Sequence, residues 1–411
     1  MPVSVKTDNP RFFYGYVIVL VSFALQVLGW GLFNSLGVFF NPIVTEFAWP
    51  RAALSSAISF AMLISGATGI LQGSLNDRFG PRVIMSAGGV LLGAGYLLMS
   101  RVASVWHAYL FCGLMIGMGI SGTDIVLLST TARWFVKRRG MMTGIIKVGT
   151  GAGMLCMPLV INGLITAYGW RTAFVVLGAI VLFFYVLGAQ FLVRDPGKRG
   201  LAPDAGGRVN PLEQPSPEQG LTLGKTARTV QFWTMCFAFF MFLFCAVTIL
   251  MHLSTHAIDL GITRTIASVA QAALGGTSIA GRFIMGWAGD RIGNKAALVI
   301  CFICLTASLL WLHFSDTLWM IFLFALVYGF AHGGFFTLIS PLTADLFGTS
   351  SHGVIFGTIT FVFSIGGALG PVTTGYIFDI TNSYSAAFWI MAAMSMAGLI
   401  AILSLKPIKN A

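Results

Sequence analysis

Apolar residues fill this chain in long blocks, and polar residues fall mostly in the short turns between them. Twelve blocks stand out, at roughly 14–40, 52–75, 82–100, 105–130, 140–166, 171–193, 230–257, 263–289, 296–314, 317–344, 353–378 and 385–405. Each is close to or above the ~20 residues a helix needs to cross a hydrocarbon layer ~30 Å thick. The two-residue alternation of a membrane β-barrel is absent, so the pattern predicts an all-α polytopic membrane protein. One segment breaks the rhythm. From Arg194 to Thr229 the chain carries Pro, Gly, Glu and Lys without apolar periodicity. It reads as a flexible linker (194–229) between two six-helix lobes, 1–193 and 230–411, with a short amphipathic piece at 221–229.

The two halves repeat. Gly73-Ser-Leu-Asn-Asp77-Arg78-Phe-Gly80-Pro-Arg82 follows the second block, and Gly286-Trp-Ala-Gly-Asp290-Arg291-Ile-Gly293-Asn-Lys295 follows the eighth, 213 residues later. A second echo, Gly169-Trp-Arg-Thr-Ala-Phe174 against Ser383-Tyr-Ser-Ala-Ala-Phe388, has an offset of 214. Two matches at nearly one offset argue for duplication. In a twelve-span protein that predicts paired lobes around a site at mid-depth, working by alternating access.

Composition narrows the class. With 57% hydrophobic and 9% charged residues, a soluble domain is excluded. The net charge of +11 could suggest nucleic-acid binding, but its placement says otherwise. With the N-terminus inside, eighteen of the 24 Lys and Arg fall in cytoplasmic segments, Lys6, Arg11, Arg208 and Lys409 among them. Only Arg51, Arg101, Arg171 and Arg264 fall outside, and Lys147 and Arg282 stay within spans. This positive-inside bias places both termini in the cytoplasm and makes no nucleic-acid partner necessary. The six cysteines lie in apolar runs, and Cys301-x-x-Cys304 has no second pair or neighbouring His, so neither a metal nor any other cofactor is expected. Residues 1–13 form a short basic tail, and the first block is too long for a cleavable leader, so the first span is expected to persist.

Charge inside the membrane is the main clue to function. Arg282 lies eight residues before Asp290, which marks the end of its span, so at 1.5 Å per residue it sits about 12 Å deep. No acid in its own half lies at that level: Asp259, Asp290, Asp345 and Asp379 all belong to span ends. Its forked donors match a carboxylate, so the substrate's own carboxylate is the expected partner, with a cross-lobe bond to Asp124 or to carbonyls as the alternative. Asp124 and Lys147, on either side of the turn 133–139, come to similar depth. They read either as a mutual ion pair or as functional groups, Asp124 exchanging a proton and Lys147 adding positive potential.

His252 and His256 share one helical face, and histidine is the residue type whose ordinary titration falls near neutral pH, which makes His252, with Asp259 and Asp124, a candidate for proton coupling. Tyr328 could offer a hydroxyl to a substrate, and His332 could line the cavity. Leu28, Trp30, Asn34, Phe335 and Phe361 are expected cavity wall by span position. Asp77, Arg78, Arg82, Asp290 and Arg291 could lock one lobe arrangement through salt bridges, or simply fix topology and turns, with Gly80 and Gly293 as helix stops. Glycines such as Gly149, Gly151 and Gly153 allow close helix approach, and Pro158 and Pro371 can kink spans.

The duplicated G-x-x-x-D-R-x-G-x-[RK] loops resemble the signature of the major facilitator superfamily. More narrowly, Arg133-Trp134-Phe135-Val-Lys137-Arg138-Arg139, continuing through Gly144, Gly149 and Gly153, is similar to the loop signature of the monocarboxylate porter family. Tyr14-Gly15-Tyr16 and the stretch from His252 to Gly261 look like that family too. The resemblance implies a bacterial member of the lactate and pyruvate carrier group: a proton-coupled symporter of small monocarboxylates, functional as a monomer, in the plasma membrane (the bacterial inner membrane). It implies that Arg282 binds substrate. The family commonly has an Asp where this chain has Ser278, and its first-span lysine aligns with Asn34, so coupling is left unassigned while Ser278, Asn34, Lys147, His252, Tyr328 and Leu28 remain expected substrate contacts. An exchanger of the oxalate and formate type is the alternative; it would carry a lysine in span eleven, and 353–378 holds no Lys or Arg. A drug-efflux carrier suits an arginine-lined cavity less well, and an enzyme or sensor would need a catalytic set or an output domain that the 36-residue linker does not supply.

Overall fold

A computed structural model describes residues 13–49, 51–205, 220–381 and 383–406. Among them, ten helices are long and apolar enough to cross a membrane. We label the spans α1 (Gly15–Asn34), α2 (Arg51–Phe79), α3 (Pro81–Met99) and α4 (Val105–Trp134). The continuous run Arg139–Phe191 breaks at Gly169, whose φ of 79° no helix can hold, and so supplies α5 (139–168) and α6 (170–191). Then come α7 (Val230–Asp259), α8 (Arg264–Ile292), α9 (Asn294–His313), α10 (Leu318–Phe347), α11 (His352–Thr381) and α12 (Ser385–Ser404). Together these twelve helices, the ten above with Arg139–Phe191 divided in two and α8 added, form an all-α bundle with six from each half of the chain. The only β pairing among the described residues is an isolated bridge, Gly220 with Gly348.

The duplicated loop has the same backbone in both halves. Gly80 (φ 86°) separates α2 from α3, and Gly293 (φ 88°) separates α8 from α9. Both sit in a left-handed region that a side chain disfavours, which explains the glycine in each copy. The lobes meet where α5 crosses α8 and α2 crosses α11, and there the backbones nearly touch. A Cβ added at Gly140 would run into the Gly286 carbonyl, and one at Gly73 into that of Gly353.

Two expectations change. The first span ends at Asn34 rather than residue 40, because Asn34 Nδ2 and Ser35 Oγ bond back to the carbonyls of Trp30 and Gly31, at 2.7 and 2.6 Å, and the chain turns into a short helix, Phe40–Phe47. The flanks of the linker are not loose. Asp204 accepts from the amides of Val136 and Lys137 at 2.8 and 2.7 Å, pinning 194–205 under the α4–α5 turn. On the far side Leu221 N donates to Phe347 O, and a single helical turn, Leu223–Thr226, leads into α7. The middle of the linker, 206–219, and Lys6, Arg11, Arg208 and Lys409 lie outside the described residues.

Candidate functional site: a charged cavity between the lobes

A cavity of about 190 Å³ lies between the lobes. Its wall is mostly apolar, including Trp30, Phe33, Met62, Leu243, Leu250, Phe336 and Phe363, with Asn34, Ser65, Ser121, Thr150, Thr360 and Ser364 as neutral polar groups. Asp124, Lys147, Arg282 and His332 are its titratable residues among those described. The cavity reaches Asn34, the last residue of α1, and thus runs from mid-depth toward the face away from the termini.

Arg282, on α8, is only 4% exposed. Its Nη1 donates to the backbone carbonyl of Lys147 across the lobe interface at 3.2 Å, while Nε is buried without a partner. The cross-lobe carbonyl bond expected as the alternative is thus present: a carbonyl takes Nη1, and Nε is left unsatisfied. Lys147, on α5, donates from Nζ to Asp124 Oδ1 at 2.6 Å, which is the mutual ion pair, and lies 5.8 Å from the centre of the Phe336 ring. The same Asp124 oxygen accepts from Gln26 Nε2 at 2.7 Å, and Gln26 Oε1 accepts from Thr150 at 2.7 Å. Gln26 is fully buried in α1. Sequence reasoning passed over it, although a carboxamide amid an apolar span is a visible signal.

Of the expected contacts, Arg282, Lys147, Asp124 and Asn34 meet at the cavity. Ser278 stands behind the wall, its hydroxyl 3.3 Å from His332 Nδ1. Tyr328 does not reach the cavity: it is fully buried and its hydroxyl donates to Cys245 O at 3.3 Å. His252 turns away toward α12, with Nδ1 3.3 Å from the Tyr384 hydroxyl. Asp259 lines a separate recess at the non-terminal end, with His256, His313, Asp316 and Tyr384. Leu28 packs against the apolar core, and Phe336 takes the wall position expected of Phe335, which instead stacks on Phe242 at 3.4 Å. These shifts share a cause. Helical phase is invisible when every face is apolar.

The end carrying the termini is closed by bonds between lobes. Asp77 accepts from the amides of Gly353 and Val354, at 3.3 and 3.0 Å, at the start of α11. Asp290 accepts from Gly140 and Met141, at 2.6 and 2.8 Å, at the start of α5. Each duplicated aspartate thus caps a helix of the opposite lobe, where free amides and the helix dipole favour an anion. Arg133 bonds Asp77 at 2.7 Å and Thr349 O at 3.1 Å, and Arg139 bonds Asp345 at 2.9 Å. The bases expected in this role are elsewhere: Arg78 lies over Phe79, Arg82 donates to Gln190 O, and Arg291 lies over Trp287. Arg133 and Arg139, at the end of α4 and the start of α5, take their place by reaching Thr349 O and Asp345 of the other lobe.

A helical bundle with a charged cavity between its halves and a seal at one end has the architecture of a membrane transporter. The chain belongs to the Major Facilitator Superfamily, whose family model matches residues 19–263 and 247–411. Among its relatives, monocarboxylate transporter 13 of Bos taurus is 28% identical over 96% of this chain and 89% of its own length. Monocarboxylate transporter 11 of Homo sapiens is 28% identical over 94% and 81%. These are animal proteins, and they lend no support to the bacterial source the resemblance implied. Among solved structures, the proton:xylose symporter XylE bound to 6-bromo-6-deoxy-D-glucose superposes with a TM-score of 0.77 at 15% identity, covering 96% of both chains. The human organic anion transporter MFSD10 (TETRAN) gives 0.72 at 16%, covering 94% of this chain and 99% of that one. At such identities the likeness establishes the fold.

Proposed function

We propose that this protein is a secondary transporter of small monocarboxylates of the lactate and pyruvate type, moving them with a proton by alternating access. The observation that carries the reading is Arg282, buried on the cavity wall with Nε lacking any partner. A buried, incompletely bonded guanidinium in a membrane calls for an anion, and its planar fork fits a carboxylate. The apolar remainder of the wall suits a short carbon tail, and among the described residues the only other cation on it is Lys147, which Asp124 already engages. The names of its relatives support the same substrate class. In this reading both termini are cytoplasmic, the protein lies in the plasma membrane and works as a monomer, and the aspartate caps and arginine bridges hold the cytoplasmic gate shut while the cavity faces outward.

Uptake of labelled lactate and pyruvate into proteoliposomes tests it. Arg282→Gln removes the charge but keeps hydrogen-bonding atoms, and uptake is expected to fall at least about tenfold, since a charge-assisted bond contributes about 1.5–3 kcal/mol. Uptake at the parental rate in that variant would remove Arg282 from the site and the carboxylate reading with it.

A further inference from the structure

On the monocarboxylate reading above, we infer that Asp124 is the group that carries the proton, and that the incoming carboxylate loads it by drawing Lys147 away. Lys147 and Gln26 both bond Oδ1 of Asp124, and neither bonds Oδ2. A proton can therefore settle on Oδ2 without breaking the Gln26 bond. Lys147 is also tied to the anion site, because its own carbonyl receives Arg282 Nη1. A carboxylate held by Arg282 arrives beside the Lys147 ammonium and competes with Asp124 for it.

Once Lys147 turns to the substrate, Asp124 keeps a neutral amide as its partner in a mostly apolar cavity. An ionised carboxylate is costly there, and taking a proton from the outward-facing solution relieves the cost. When the substrate leaves on the other side, Lys147 returns and the proton is released from Oδ2 to the cytoplasm. Counting histidine as uncharged, Arg282, Lys147 and Asp124 give the empty site a charge of +1. With the substrate anion bound and Asp124 protonated the charge is again +1. The moving site has one charge in both halves of the cycle, and the net cargo is the neutral acid.

The ionisable groups around Asp124 leave it as the carrier. Lys147 on α5 and Arg282 on α8 are cations, and Tyr185 on α6 shares its hydroxyl with Thr123 and Leu25 O. His332 on α10 is hydrogen-bonded to Ser278 and packed against Tyr328 and Phe336, with no acid beside it. Among the described residues, the cavity walls from α1, α2, α7 and α11 contribute no ionisable side chain.

Proton uptake on adding lactate or pyruvate to the purified full chain in detergent, read with a pH indicator beside calorimetric binding, tests the assignment. The parent is expected to take up about one proton per acid bound, so its affinity for the anion weakens up to about tenfold per pH unit as pH rises. Asp124→Asn should bind the anion more tightly, without proton uptake and without the pH slope. If that variant fails to fold, Asp124→Asn with Lys147→Gln, a neutral pair of similar shape, should bind weakly and again without proton uptake. His332→Gln should keep the proton. One proton per acid in either Asp124 variant, or none in His332→Gln, overturns this assignment. Parent protein that binds acid without proton uptake overturns it while leaving the carboxylate reading intact; parent protein that binds neither acid sinks both.

Discussion

Arg282 and Lys147 are both buried cations within spans, yet the structure treats them differently. Lys147 has a carboxylate at 2.6 Å, whereas Arg282 has one carbonyl and an orphaned Nε. The stability of the pair can be read directly. Lys147→Met leaves Asp124 buried with an amide alone, and should destabilise the protein by about 3 kcal/mol, whereas adding Asp124→Asn should recover most of that loss. Thermal unfolding of the single and double variants in detergent checks this, and equal losses in both would show that the unpaired Asp124 charge is not what destabilises Lys147→Met. At this scale the sequence was informative about charge and depth, since a turn at 133–139 and a 1.5 Å rise bring Asp124 and Lys147 level. It was silent about facing. Phe335 and Phe336 are identical in chemistry, and only packing decides that Phe336 lines the cavity. His252 illustrates the same limit, because its contact with Tyr384 spans 132 residues.

Between elements, the closed end depends on helix starts. The repeated loops were legible from their 213-residue offset, and so were the glycines that end α2 and α8. Which group each aspartate would meet was not, because the partners are backbone amides 150 and about 276 positions away. Asp290→Asn keeps an acceptor oxygen but loses the charge at the α5 start. Losing one of the two accepted bonds together with the charge at the helix start costs about 1 kcal/mol, enough to shift the closed-to-open ratio about fivefold toward opening of this end. A cysteine placed at Thr337, buried where α10 meets this interface, reports the shift once the accessible Cys156 and Cys304 are changed to Ser. Its labelling by a maleimide should quicken about fivefold in the Asp290→Asn background. Unchanged labelling would show that the cap does not hold the gate.

For the whole molecule, the twelve-block pattern and the duplication were enough to reach the architecture, because a bilayer restricts spanning structure to few solutions. The cargo's charge is a property of the same scale. If acid and proton travel together, uptake driven by a pH gradient should not respond to a potassium diffusion potential set with valinomycin. Were one net charge to move, 100 mV would change the attainable gradient about fiftyfold, from about 2.3 kcal/mol per charge. A response approaching that size would show that the anion moves without its proton.

The reciprocal caps also bear on the protein's history. After a duplication each half is free to drift, and contacts between side chains of different halves are lost unless both partners change together. Asp77 and Asp290 bind main-chain amides, which nearly every substitution in the partner half leaves in place. The residues around them have diverged, Pro81 and Arg82 in one copy against Asn294 and Lys295 in the other, while both clasps remain. A latch written into the backbone demands ancestry of one residue per half, and lets the rest of each lobe evolve toward its own cargo.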